Sequence, residues 1–89
     1  MSKLDTKIEK VAKQVIETLS DEDKKYICEH PNPITYHFTL GMYIRNKYIY
    51  NNSEFDSFPM PDDISNMIIE KIIVELTGKE PVYEFHSKK

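Results

Sequence analysis

The stretch PDDISNMIIEKIIVEL, residues 61–76, decides which fold class the chain adopts. Its many isoleucines would suit a buried strand, because β-branched side chains favour an extended backbone. The stretch is longer than a typical strand, however, and charged side chains at Glu70, Lys71 and Glu75 interrupt isoleucines that recur at helical spacing. The pattern therefore predicts one long helix that stops at Gly78.

Two more helices are predicted before this one. In residues 3–19 the apolar side chains fall within one arc of roughly 140°, and lysines occupy the opposite face, which is typical of a one-sided surface helix. Ser20 precedes three acidic residues, and a serine followed by an acidic first turn marks a helix start. We therefore expect a short second helix over residues 21–29, with Tyr26 and Ile27 facing inward.

The middle of the chain is predicted to form a third helix. It follows the Pro-Asn-Pro link at 31–33 and covers residues 35–48, although Gly41 lies in its interior. Residues 53–61 then form a connector whose apolar side chains suit a short turn of helix; these are Phe55, Phe58 and Met60.

The predicted fold class is all-α. We expect a compact bundle of about four helices in a single domain over residues 1–89, since a chain of this length is about one small domain. Residues 79–89 form a short apolar C-terminal tail that is set off by Pro81 and is either docked or flexible.

Composition and charge limit which classes of partner and which cellular compartment we expect. The formal net charge is −3, and the lysines are interleaved with acidic residues, whereas nucleic-acid binders usually present a basic face. No apolar run approaches the roughly 20 residues that span a bilayer, and the N-terminal stretch lacks the apolar core of a signal peptide. Cys28 is the only cysteine, which excludes an internal disulfide and indicates a reducing, cytoplasmic setting.

The only arginine, Arg45, is the most informative polar residue. A helical wheel of the third helix places it among apolar neighbours, above Gly41 and His37. A buried guanidinium without a carboxylate partner would be very unfavourable, so we expect an acidic residue beside it, Asp62 first and Asp63 second.

Two interpretations of this constellation stay open. One is a buried strut that fixes two helices, which is the more common role of such a pair. The other is a binding site for a partner or a small ligand, formed by a set of polar residues from the two helices: His37, Arg45, Asn46, Asp62 and Asp63. Tyr36, Tyr43 and Tyr50 are one heptad apart and are predicted to share a face, either as an interface stripe or as core.

Signals of catalysis are weak. The two glycines cannot form a glycine-rich phosphate loop, and His30, His37 and His86 lack the spacing of zinc ligands. We therefore expect no catalytic residues, no metal and no cofactor, and predict that the protein is not an enzyme.

Two motifs resemble a known family. The residues HFTLGMYIRN at 37–46, followed by PDDIS at 61–65, are similar to the pattern H-F-x-L-G-M-x-I-R-N and then P-D-D-x-S of a family of small uncharacterised bacterial proteins. The resemblance covers residues 37–77 and implies a shared fold, with no assigned activity. This chain departs from many members of that family in having no tryptophan after the first motif.

Three hypotheses of function follow. The first is a small cytoplasmic module that binds a protein partner as an immunity, antitoxin or regulatory factor, because a catalytic set is missing and aromatic residues exceed what a small core needs. The second is a nucleic-acid-binding regulator. The third is a small-ligand pocket around His37, Arg45 and Asp62. No membrane association is expected.

Overall fold

Helix α4 (Pro61–Thr77) is the central element of the fold, and every other helix packs against it. The computed structural model describes residues 3–50 and 61–83, and within these ranges the chain is all-α, without strands. Before α4 the chain forms two α-helices, a 3₁₀ turn, a short third α-helix and a π-helical turn: α1 (Lys3–Thr18), α2 (Asp21–Glu29), Pro33–Tyr36, α3 (Leu40–Ile44) and Arg45–Ile49. The connector predicted over 53–61 lies almost entirely outside the described residues.

The central position of α4 follows from its sequence. Its buried residues are Ile64, Ser65, Ile68, Ile69, Ile72 and Ile73, and at about 100° per residue they cover half of the helix circumference. A helix with so wide an apolar surface can be covered only by neighbours on several sides. Gly78 ends it with φ +74°, a left-handed backbone that glycine adopts without penalty. The predicted long helix is confirmed.

The first two helices also follow the sequence pattern. Helix α1 buries Ile8, Val11, Ala12 and Val15, and it forms the most extensive helix pair of the fold with α4. The side chain of Ser20 accepts a hydrogen bond of 3.1 Å from the backbone N–H of Asp23, which is the N-cap that the serine predicts. Ile27 is buried as predicted.

The prediction of a continuous third helix over residues 35–48 is wrong. Asn32 caps a 3₁₀ turn through the backbone N–H of Ile34, and the chain leaves helical geometry at Thr39, where φ is −108° and ψ is −84°. Helix α3 then begins at Leu40 and passes into the π-helical turn, in which the N–H of Tyr50 donates to the carbonyl of Arg45 at 2.8 Å. The interruption brings the backbone of Gly41 next to the carbonyl of Tyr36.

This interruption separates the three tyrosines that were predicted to share a face. Tyr36 lies in the 3₁₀ turn and is buried, whereas Tyr43 in α3 and Tyr50 after the π-helical turn are exposed. The prediction assumed one continuous helix. Because the helix breaks between Tyr36 and Tyr43, the three tyrosines do not lie along one face of a single helix.

The described part of the tail docks on the domain. The backbone N–H of Val82 donates to the carbonyl of Pro31 at 2.8 Å. The hydroxyl of Tyr83 donates to Glu70 of α4 and accepts from Asn66 at 3.0 Å. The side chains of Val82 and Tyr83 are exposed, so the tail packs on the surface of the domain and does not enter the core. Phe85 lies outside the described residues.

We predict that deleting residues 80–89 lowers the free energy of unfolding by about 1–2 kcal/mol, because one hydrogen bond at Val82 and two exposed ones at Tyr83 are lost and each contributes about 0.5 kcal/mol, the low end of the usual range. Urea unfolding followed by circular dichroism measures the change. Tyr83→Phe is the matched variant: it keeps the ring and should lose about half as much. An unchanged urea midpoint on deletion would show that the docking contributes nothing to stability.

Among residues 3–50 and 61–83, none of the helices has both the length and the apolar content that crossing a bilayer requires.

Candidate functional site

The guanidinium of Arg45 joins the π-helical turn to α4. Its Nε lies 3.3 Å from Oδ1 of Asp62, and its Nη1 donates to the hydroxyl of Ser65 at 3.0 Å. Nη2 donates to the carbonyl of His37 at 3.4 Å. The predicted pairing of Arg45 with Asp62 is therefore confirmed. We call Arg45 with Asp62, Ser65 and the His37 carbonyl the Arg45 clasp.

The start of α4 builds the acceptor side of the clasp. Ser65 is fully buried, and its hydroxyl donates to the carbonyl of Asp62 at 2.9 Å, which leaves its oxygen lone pairs facing Arg45. The two partners differ in exposure: the Arg45 side chain is 7% exposed and that of Asp62 is 58% exposed. The charge of Arg45 is thus buried against a carboxylate that water still reaches.

The other residues predicted around Arg45 take different places. His37 contributes its backbone carbonyl to the clasp, while its half-buried ring meets the ring of Phe38 edge-on at 4.9 Å. Asn46 and Asp63 are exposed. Of the five predicted site residues, Arg45 and Asp62 contact each other through their side chains, and His37 joins them through its backbone carbonyl.

The absence of a side chain at Gly41 leaves room for the guanidinium of Arg45. A Cβ at this position would lie 3.2 Å from Nη1 of Arg45, 3.3 Å from the carbonyl oxygen of Tyr36 and 3.5 Å from Cδ1 of Ile69. The first two distances are shorter than ordinary carbon contacts, so the close approach of these groups requires glycine at this position.

These contacts favour the structural interpretation of Arg45. Each nitrogen of the guanidinium contacts a protein group, and little of the side chain meets solvent. Among the described residues, no three His, Cys, Asp or Glu side chains are grouped as metal ligands would be.

A second feature is a cleft between α2 and α3, with a volume of about 380 Å³. We call it the α2–α3 cleft. Its lining is mainly aromatic and aliphatic: Leu19, Asp23, Tyr26, Ile27, Tyr36, Thr39, Leu40 and Tyr43. The prediction that Tyr26 faces inward is wrong, because its side chain stands at the rim of this cleft and is 50% exposed.

Tyr36 forms the buried floor of the cleft. Its hydroxyl donates to the carbonyl of His30 at 2.7 Å and ties the 3₁₀ turn to the end of α2. The ring of Tyr26 meets that of Tyr36 edge-on at 6.2 Å and lies 4.5 Å from the ring of His30. Burial, followed by the nearby Tyr26 and Cys28, raises the pKa of Tyr36 to about 12. The hydroxyl therefore stays protonated as a donor at neutral pH.

Tyr43 also lines the cleft, and it contacts two residues of the π-helical turn. Nζ of Lys47 donates to its hydroxyl at 3.2 Å, and the ring of Tyr48 meets its ring edge-on at 6.2 Å. The hydrogen bond from Lys47 stabilises the phenolate and lowers the pKa of Tyr43. The ring of Tyr43 therefore lies against Lys47 and Tyr48 at the edge of the cleft.

We predict that Lys47→Met raises the pKa of Tyr43 towards that of an ordinary tyrosine, since the ammonium that favours the phenolate is removed. NMR titration of tyrosines labelled at the ring carbon that bears the hydroxyl measures this value. A pKa of Tyr43 that is unchanged or falls further in the variant would contradict the contact.

The family of the chain is shown by a match over most of its length. Residues 6–76 match the sequence profile of a family described as a domain of unknown function, DUF6794. The chain belongs to the DUF6794 family. Both motifs quoted above, at 37–46 and 61–65, lie inside the matched range. Comparison with curated proteins and with solved structures gave no match.

The α2–α3 cleft is the feature that sequence reasoning missed. The sequence places Tyr26 on the inward arc of a short helix. A helical wheel cannot show that a cleft beside this helix leaves the ring half exposed. The signal that points to the cleft is the Pro-Asn-Pro link at 31–33, because prolines restrict the chain to extended or turned conformations and so separate α2 from α3.

Proposed function

We propose that this DUF6794 member is a small protein-binding module that acts in the bacterial cytoplasm as an immunity, antitoxin or regulatory factor, and that the α2–α3 cleft is its binding surface. The observation that carries the proposal is the cleft itself, an aromatic concavity with a hydrogen-bonded floor at Tyr36 and partly exposed tyrosines at its rim. No enzymatic activity and no cofactor form part of this proposal.

The chemistry of the rim supports protein binding. Tyrosine is enriched at protein interfaces because it offers a large apolar ring and a polar hydroxyl. Tyr26 contacts the ring of His30, and Tyr43 contacts Lys47 and the ring of Tyr48, and such contacts reduce the side-chain entropy that is lost when a partner binds. Phe38 and Met42, on the same stretch of chain, are exposed apolar side chains outside the lining of the cleft.

The two alternative functions have weaker support. Arg45, the centre of the proposed ligand pocket, is engaged by three protein groups, which favours a structural role. Nucleic acid would meet an acidic surface, because α2 alone carries four acidic and two basic residues.

The proposal is tested by affinity capture from a host cell extract with three versions of the domain. Wild type and Met67→Ala, which alters an exposed side chain on α4 away from the cleft, should capture the same partner. Tyr26→Ala should weaken capture about 30-fold, as expected for an interface tyrosine worth about 2 kcal/mol. Circular dichroism checks that each variant is folded.

Equal capture of the partner by Tyr26→Ala and wild type would contradict the cleft as the binding surface. Recovery of no specific protein, together with a thermal shift caused by a metabolite, would replace protein binding with ligand binding. A mobility shift of DNA or RNA that persists at physiological salt would favour the nucleic-acid alternative.

A further inference from the structure

The rim of the α2–α3 cleft continues into an acidic surface. Asp23 and Tyr26 line the cleft, and both also line a shallow groove on α2 together with Glu22, Lys25 and Glu29. We call Glu22, Asp23 and Glu29 the acidic edge. An occupant of the cleft that extends past Tyr26 therefore meets three carboxylates and one ammonium group.

No residue of the acidic edge forms an ion pair within the described part of the chain. The ion pairs seen there are formed by other residues, on α1, on α4 and in the Arg45 clasp. Glu29 is the last residue of α2, whose last turn contains no basic residue, and a carboxylate at this negative end of the helix dipole is unfavourable. A cation from a partner would relieve that repulsion.

The charge of the edge narrows the chemistry of the occupant. Phosphates of a nucleic acid would be repelled, and so would a second copy of this chain, whose net charge is also −3. The half-exposed ring of Tyr26 stands between the apolar cleft and the carboxylates, where an aromatic face attracts a cation.

We infer that the cleft binds a basic, apolar segment of a partner protein: an aliphatic or aromatic side chain enters the cleft, and a nearby lysine or arginine contacts the acidic edge. This inference rests on the proposed function and specifies the partner. The apolar anchor supplies most of the affinity, whereas the charge contact sets specificity and the rate of association.

The test uses a phage-displayed library of random 12-residue peptides, selected on the complete domain. The enriched peptides should combine an apolar anchor with a lysine or arginine. Replacing that basic residue of the synthetic peptide by glutamine should weaken binding about tenfold, and the triple variant Glu22→Gln, Asp23→Asn, Glu29→Gln should have a similar effect.

The matched control is a second triple variant, Glu9→Gln, Glu75→Gln, Glu80→Gln. It has the same net charge as the first, but its substitutions lie on α1, on α4 and in the tail. It should bind the unaltered peptide with an affinity within about threefold of that of the unaltered domain, because none of its three positions lines the cleft or the groove on α2.

The remaining outcomes separate this inference from the proposed function. Peptides without basic residues that bind both triple variants equally, but not Tyr26→Ala, would overturn the inference and leave the cleft as a protein-binding surface. Peptides whose binding survives Tyr26→Ala, or a library that yields no binder, would overturn both. If the domain forms a dimer that dissociates in Tyr26→Ala, the occupant of the cleft is a second copy of this chain, and the inference of a basic partner is wrong.

Discussion

Arg45→Ala is expected to lower the free energy of unfolding by about 3 kcal/mol, at the low end of the range for removing one member of a buried ion pair. The substitution leaves the buried hydroxyl of Ser65 and the carbonyl of His37 without their donor, and it opens a cavity beside Gly41. Asp62 limits the loss, because it is exposed enough for water to solvate it. Urea unfolding followed by circular dichroism measures the change.

Two further variants test whether the loss of stability comes from the Arg45 clasp. Lys47→Ala removes an exposed cation two residues away and should leave the urea midpoint close to that of wild type. Asp62→Asn should cost about 1 kcal/mol, since its carboxylate is more than half exposed while Ser65 and His37 still hold the guanidinium. Equal midpoints for Arg45→Ala and Lys47→Ala would refute a stabilising role of the clasp.

The second large effect is expected from Gly41→Val, which should lower the free energy of unfolding by about 2–3 kcal/mol through overpacking. The new Cβ alone lies within tight contact of Arg45 and the Tyr36 carbonyl, and the two methyl groups of valine require further space. A backbone carbonyl cannot move aside as the end of a flexible side chain can. Differential scanning calorimetry would record the loss as a lower Tm.

Met42→Val is the matched control for this substitution. It places the same β-branched side chain at the next residue of α3, where the side chain is exposed. Only the small difference in helix propensity, about 0.5 kcal/mol, should remain. A Gly41→Val variant as stable as Met42→Val would mean that α3 can move away from Arg45 without penalty.

Much of the fold could be predicted because several elements are decided by local chemistry. Ser20 and the acidic residues after it define the start of α2, and Gly78 defines the end of α4. The pairing of Arg45 with Asp62 followed from one physical requirement, that a buried guanidinium needs an anionic partner. Each of these predictions depends on a residue that is stable in few structural environments.

The third helix could not be predicted in the same way. Its periodicity is helical throughout, and nothing in the residues 37–39 forbids a continuous helix. The break accompanies contacts that a helical wheel does not show, namely the bond from Tyr36 to the carbonyl of His30 and the contacts of Arg45 with Ser65 and Asp62 on α4. The position of Tyr26 at the rim follows from the same contacts, so the candidate binding surface emerged only with the structure.

The central claim, that a partner protein occupies the α2–α3 cleft, is tested most directly by site-specific photocrosslinking in host cells. The photoreactive residue p-benzoylphenylalanine is placed at position 26 in one version of the domain and at position 67 in another, both partly exposed positions. The account predicts a discrete crosslinked protein from position 26 that is missing from position 67. The same crosslinked protein from both positions, or one from position 67 alone, would contradict it.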